Sequence, residues 1–178
     1  MSWSPDRYLE ALAFAARAHG DQRVPGTGFP YVTHVVSVAM EVLAAAREDP
    51  FDADLAVACA LLHDVLEDTP TPAEAVERAF GPRVLAGVRA LTKDAALPKA
   101  DRMADSLRRL AAQPREVALV KLADRITNLQ PPPADWTREK RLAYREEARQ
   151  ILAAVGPACA PLAARLAAKI EAYAAYLR

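Results

Sequence analysis

The chain has 178 residues, 52% of them hydrophobic and 26% charged, with only 6 glycines. That length suits one domain with a real core, and an Ala-rich, Gly-poor composition favours helices packed closely through small side chains. The 23 Lys and Arg balance 23 Asp and Glu, which excludes the global basic field that would advertise nucleic acid or an anionic membrane as partner.

No stretch approaches the ~20 uncharged apolar residues of a membrane span, and Met1-Ser2-Trp3-Ser4 lacks the basic start of a signal peptide. Cys59 and Cys159 lie in apolar helical contexts without CxxC spacing, so neither a thiolate zinc site nor a disulfide framework is indicated. A cytoplasmic protein is expected.

In chain order, Ser4-Pro5-Asp6 reads as an N-cap followed by Pro at the first helical position, opening a helix through Ala18 that Gly20 closes. Residues 21–30 form a loop rich in turn formers. A second helix runs from about Tyr31 to Arg47, with His34 in its first turn, and Asp52 caps a third that continues past Leu62 to Asp68. Thr71-Pro72-Ala73-Glu74 has the form of a capping box and starts a short helix ending before Gly81. Another runs from Pro82 to about Leu91, and the next begins near Pro98. Arg115 to Leu129 is amphipathic, and Pro131-Pro132-Pro133 forces an extended break. Trp136-Thr137 begins a long helix to Val155, and Gly156-Pro157 separates it from a final Ala-rich helix over about 157–177. Sustained alternation of β-branched residues is absent, so the fold class is all-α, a single compact multi-helix bundle over 1–178.

The chemistry concentrates where apolar runs break. After Ala58-Cys59-Ala60-Leu61-Leu62 come His63, Asp64, Glu67 and Asp68. On a continuous helix, His63 and Glu67 share one face while Asp64 and Asp68 share the adjacent stripe. Ionisable groups in such a setting need a metal, a counter-charge or water. Asp124 interrupts a second apolar helix in Val120-Lys121-Leu122-Ala123-Asp124-Arg125. Of the three histidines, His19, His34 and His63, the latter two with Asp64 and Asp124 would supply two imidazoles and two carboxylates from three helices. That set leaves coordination positions open for water and substrate.

The ordered residues His34, His63-Asp64 and Asp124 resemble the metal signature of the HD phosphohydrolase superfamily. Ala18-His19, Gln22-Arg23, Pro30-Tyr31-Val32-Thr33-His34, His63-Asp64-Val65-Leu66-Glu67-Asp68-Thr69, Leu91-Thr92-Lys93 and Asp124-Arg125 with Asn128 resemble the hydrolase domain of the Rel/SpoT enzymes. Leu97-Pro98-Lys99, Trp136 and Tyr144 bring the resemblance closest to the single-domain small alarmone hydrolases, over roughly residues 5–150.

The resemblance implies a manganese-dependent hydrolase that removes pyrophosphate from the 3′ position of guanosine tetra- or pentaphosphate. His34, His63, Asp64 and Asp124 would then hold one Mn²⁺, and Glu67 and Asp68 would serve as acid and base. Arg23, Lys99, Asn128, Lys140 and Tyr144 would contact the nucleotide, a small-molecule partner. Lys121 and Arg125 would orient the metal-site carboxylates, and His19 would stand in the site wall.

Departures from the pattern concern the base. Val24 stands where many relatives carry Lys, Thr127 where the long enzymes carry His, and Pro131–Pro133 replaces residues of the nucleoside pocket. An adenine alarmone, a dinucleotide phosphate or another nucleotide therefore remains an alternative substrate for an HD-type phosphohydrolase. A non-catalytic alarmone-binding module is a further alternative, and the intact ligand set argues against it.

Overall fold

A computed structural model describes residues 3–177. Its elements in order are α1 (Pro5–His19), α2 (Val32–Ala45), α3 (Ala53–Leu62), α4 (Val65–Asp68), α5 (Ala73–Leu91), α6 (Arg102–Ala111), α7 (Arg115–Asn128), α8 (Arg138–Val155) and α9 (Ala160–Ala172). Short 3₁₀ turns follow α8 and α9. Among the described residues the only β-pairing is an isolated bridge between Arg23 and Pro30, so the all-α expectation holds.

Local chemistry explains most of the boundaries. The Ser4 side chain accepts from Arg7 N ahead of Pro5, Asp52 accepts from Leu55 N, and Thr137 accepts from Lys140 N. Each satisfies one of the donors a helix start leaves open. Gly81, at φ +84°, breaks α5 in front of Pro82, which separates the two segments expected there.

Three boundaries depart from the sequence reading. Thr71 does not cap α5, because Pro72 occupies the cap position in extended geometry and the Thr71 N–H is taken by Thr69 Oγ1. The helix expected near Pro98 starts at Arg102, since Arg102 donates to the carbonyls of Leu97 and Ala95 and holds residues 95–101 as a turn. The helix expected to run through His63 stops at Leu62 and restarts as α4.

Two helices organise the packing. α3 is buried at Leu55, Ala56, Val57, Cys59, Ala60, Leu61 and Leu62 and packs against α1, α2, α5 and α7. α7 is buried from Val117 to Ile126 and faces two apolar clusters at once. Val117, Val120 and Ala123 join the cluster built with α1, α2, α3 and α5, whereas Leu119, Leu122 and Ile126 join the one built with α8 and α9. A helix buried on both sides needs apolar residues all round, so a charged residue inside it requires a partner. Ala11, Ala15, Ala39, Ala56 and Ala60, all fully buried, bring the backbones close enough for His34, His63 and Asp124 to meet.

Candidate active site

The break after Leu62 starts with the His63 ring. Its Nδ1 lies 2.8 Å from the Ala60 carbonyl, the acceptor that the Asp64 N–H would use in an unbroken helix. Asp64 stays in the right-handed region at φ −99° and ψ −3°, and its own carbonyl starts α4 by accepting from Glu67 N at 3.2 Å and Asp68 N at 2.8 Å. Asp64 Oδ2 thereby comes to 2.8 Å from His63 Nε2 and 3.6 Å from His34 Nε2.

His34, one turn into α2, points its Nε2 to within 3.3 Å of His63 Nε2. Asp124 of α7 brings Oδ1 to 3.4 Å from His34 Nε2 and 3.7 Å from His63 Nε2. Ligand atoms of His34, His63 and Asp124, all buried, lie within 4.8 Å of one another, and Asp64 adjoins the two histidines.

The donor set fits a divalent cation. Only a protonated Nδ1 can serve the Ala60 carbonyl, so a neutral His63 presents a lone pair at Nε2. That lone pair faces two carboxylate oxygens and a second imidazole nitrogen, a set that a divalent cation can join. Lys121, itself buried, lies 3.6 Å from Asp124 Oδ2 and balances one of the two carboxylates. The other is left for a bound ion. Proton affinities say the same. Burial opposes charge on His63, but Asp64 and Asp124 outweigh it and hold the imidazolium well above its usual range. Against the same burial, the His63 charge lowers Asp64 to about 2, and hydrogen bonds from His34 and His63 keep Asp124 well below the ordinary carboxylate range.

Around the cluster is a cavity of about 230 Å³ lined by Tyr31, His63, Asp64, Glu67, Asp68, Leu91, Lys93, Lys121, Asp124 and Asn128. Glu67 is held at both oxygens: Oε2 accepts from Lys93 N at 2.9 Å and Oε1 from Lys93 Nζ at 3.3 Å. Asp68 Oδ2 accepts from Gln22 Nε2 at 3.2 Å, and no donor among the described residues reaches its Oδ1.

The remaining expected residues fall into two groups. Asn128 is at the cavity, and its amide donates to Asp124 Oδ1, which it orients. Arg23, Lys99, Lys140 and Tyr144 do not line the cavity. Arg23 reaches back to the Gly28 carbonyl, and Lys99 is exposed in the turn before α6. Lys140 Nζ sits 4.2 Å from the centre of the Trp136 ring. Tyr144 packs edge-on against Trp136, and burial pushes its phenol up to about 12.

Lys121 orients Asp124 as expected, whereas Arg125 turns away to Glu147 and stacks over Tyr144. His19 does not line the cavity and packs behind it, its ring 4.6 Å from that of Tyr31. Two residues of the site had no role assigned from sequence. The Tyr31 hydroxyl donates to Asp64 Oδ2 at 2.6 Å, and the Lys93 pair holds Glu67. Tyr and Lys at such positions are ordinary residues, and only their place in the motifs around His34 and Leu91 marked them.

This arrangement of helices and ligands is that of the HD-domain proteins. The HD-domain family model matches residues 11–168, and the chain belongs to that family. Among its relatives are the guanosine-3′,5′-bis(diphosphate) 3′-pyrophosphohydrolases MESH1 of Drosophila melanogaster and of Homo sapiens. The first is 35% identical over 82% of this chain and 83% of its own length, and the second 35% identical over 81% and 82%. A guanosine-3′,5′-bis(diphosphate) 3′-pyrophosphohydrolase from Aquifex aeolicus is 35% identical over 88% of this chain, which spans 21% of that protein. In structure, the chain resembles a metazoan orthologue of SpoT that hydrolyses ppGpp, with a TM-score of 0.85, 31% identity, and coverage of 97% of this chain and 98% of the other.

Proposed function

We propose that this chain is a metal-dependent hydrolase of guanosine 3′,5′-bis(diphosphate) that releases the 3′-diphosphate as pyrophosphate and leaves guanosine 5′-diphosphate. One observation carries the reading: His34, His63 and Asp124 cluster within reach of one ion, with Asp64 beside the histidines and Glu67 and Asp68 lining the same cavity. The relatives that act on this compound share about a third of their residues with the chain over most of its length.

His34, His63, Asp64 and Asp124 would hold one divalent ion, which we take to be Mn²⁺. When bound, such an ion acidifies a coordinated water and offsets charge on the attacked phosphate. Glu67, tied at both oxygens to Lys93, is fixed in place. Asp68, with Oδ1 free, takes the proton of the attacking water. The water oxygen bonds to the phosphorus on O3′, the P–O3′ bond breaks, and Asp68 returns its proton to O3′. Asn128 and the exposed cations Arg23, Lys99 and Lys140 would meet the nucleoside and the phosphates, with Tyr144 as a neutral donor. The single HD domain would act in the cytoplasm on this small molecule.

The test is a panel of guanosine and adenosine 3′,5′-bis(diphosphates) and nucleoside 5′-monophosphates, each with Mn²⁺ and with chelator. Pyrophosphate released from the 3′-diphosphates only when metal is present is the expected result. Phosphate released from monophosphates alone would make the chain a general HD phosphohydrolase, and binding without turnover would make it a sensor.

A further inference from the structure

Gln22 belongs to a chain of side chains that ends at Asp68. His19, the last residue of α1, is buried, and its Nδ1 lies 2.8 Å from Gln22 Oε1. Gln22 Nε2 donates across 46 residues of sequence to Asp68 Oδ2 at 3.2 Å. The backbone at Gln22 is pinned on both sides: its N–H donates to the His19 carbonyl and its carbonyl accepts from Tyr31 N, each at 2.9 Å.

Asp68 gains no such support from its own helix. α4 is one turn long, and Asp68 is its exposed last residue, followed by extended backbone at Thr69. An exposed carboxylate there rotates freely unless something outside the helix restrains it.

The direction of the chain is set at His19. Gln22 can offer its amino group to Asp68 only if its carbonyl oxygen faces His19, and that oxygen needs the proton on Nδ1. The other ring nitrogen, Nε2, is buried with no partner among the described residues. Nδ1 is thus the ring nitrogen through which the buried imidazole acts.

We propose that His19 and Gln22 are positioning residues for catalysis. His19 fixes the orientation of the Gln22 amide, and Gln22 fixes Asp68 with Oδ2 engaged and Oδ1 presented to the cavity. This rests on the assignment of Asp68 as the proton-transfer group.

The test has one arm independent of turnover. In ¹⁵N-histidine spectra, assigned by the loss of one signal set in His19→Ala, His19 is expected in the Nδ1–H tautomer. The Nε2–H tautomer would overturn the chain.

The second arm is a double-mutant cycle on guanosine 3′,5′-bis(diphosphate) with Mn²⁺. Gln22→Ala should lower kcat about 10–100-fold with little change in KM, the scale of a lost orienting partner. In an Asp68→Asn background the same substitution should change kcat by less than about twofold, because its effect runs through Asp68. His19→Asn, whose amide nitrogen stands where Nδ1 stands, should recover most of what His19→Ala loses. An equal effect of Gln22→Ala in both backgrounds, or an effect on KM alone, would overturn the proposal. A parent protein inert toward the substrate would overturn the functional reading instead, and the tautomer would still decide the chain.

Discussion

Tyr31 acts on the site through one hydrogen bond, from its hydroxyl to Asp64 Oδ2. Burial and the nearby carboxylates raise its phenol far above the usual range, so it stays a donor at every working pH. Tyr31→Phe keeps the ring against His19 and removes only that bond, and should weaken Mn²⁺ binding about 10-fold or more. Calorimetric titration of metal into both proteins checks this, and equal affinities would remove Tyr31 from the centre. Val24 sets a different limit. It packs into the first apolar cluster and offers the base no hydrogen bond. Stacking by Arg23 discriminates poorly between purines, so guanine-over-adenine selectivity in kcat/KM should stay below about a hundredfold, the scale of one lost polar contact. Val24→Lys should raise it without changing metal dependence, as competitive hydrolysis of the two 3′-diphosphates would show. The His34, His63 and Asp124 cluster was legible in the sequence because His63 and Asp124 interrupt apolar runs and His34 precedes them in an ordered pattern. Gln22 and Tyr31 were not, because their roles depend on contacts across the fold.

At the scale of elements, the decisive feature is the two-residue break between α3 and α4. Periodicity predicted an unbroken helix, since nothing in Leu62-His63-Asp64-Val65 is a helix breaker. The imidazole itself ends the helix by taking the Ala60 carbonyl, a side-chain contact that helical periodicity does not register. The N-caps Ser4 and Asp52 were legible because capping is local, whereas the Thr71 capping box failed one residue from the true cap at Pro72. Close approach of α5 to α3 and α7 depends on Gly87, where a Cβ would meet Cys59 Sγ at 2.7 Å and Val117 Cγ2 at 3.1 Å. Ala is the better helix former by ~1 kcal/mol, and overpacking a dense core costs ~1–3 kcal/mol. Gly87→Ala should therefore destabilise the protein by up to about 2 kcal/mol, read from the denaturant midpoint. Adding Cys59→Ala makes room for the new methyl group and should make the Gly87→Ala change less costly. Stabilisation by Gly87→Ala alone would show that the contact relaxes freely.

For the whole molecule, the His34, His63, Asp64 and Asp124 cluster ties α2, the α3–α4 break and α7 together across the larger apolar cluster, so its charge state is coupled to folding. In metal-free protein the raised His63 contributes stability that is complete below its unfolded value of ~6.5 and is lost as pH rises through its folded value. Asp64, lowered to about 2, contributes stability present above its ordinary value and lost as pH falls toward 2. The metal-free Tm should thus fall on both sides. Bound Mn²⁺ takes the place of the His63 proton and should abolish the alkaline loss, which paired melting curves across pH would reveal; identical curves with and without metal would contradict it. The most direct test of the central claim is hydrolysis of guanosine 3′,5′-bis(diphosphate) by metal-stripped protein as Mn²⁺ is added back, for the parent and for Asp64→Ala. Activity should be absent without metal and return near about one equivalent in the parent. It should stay absent in the variant, with helix content by circular dichroism unchanged. Full turnover by the stripped parent, or parental rates in Asp64→Ala, would contradict the account.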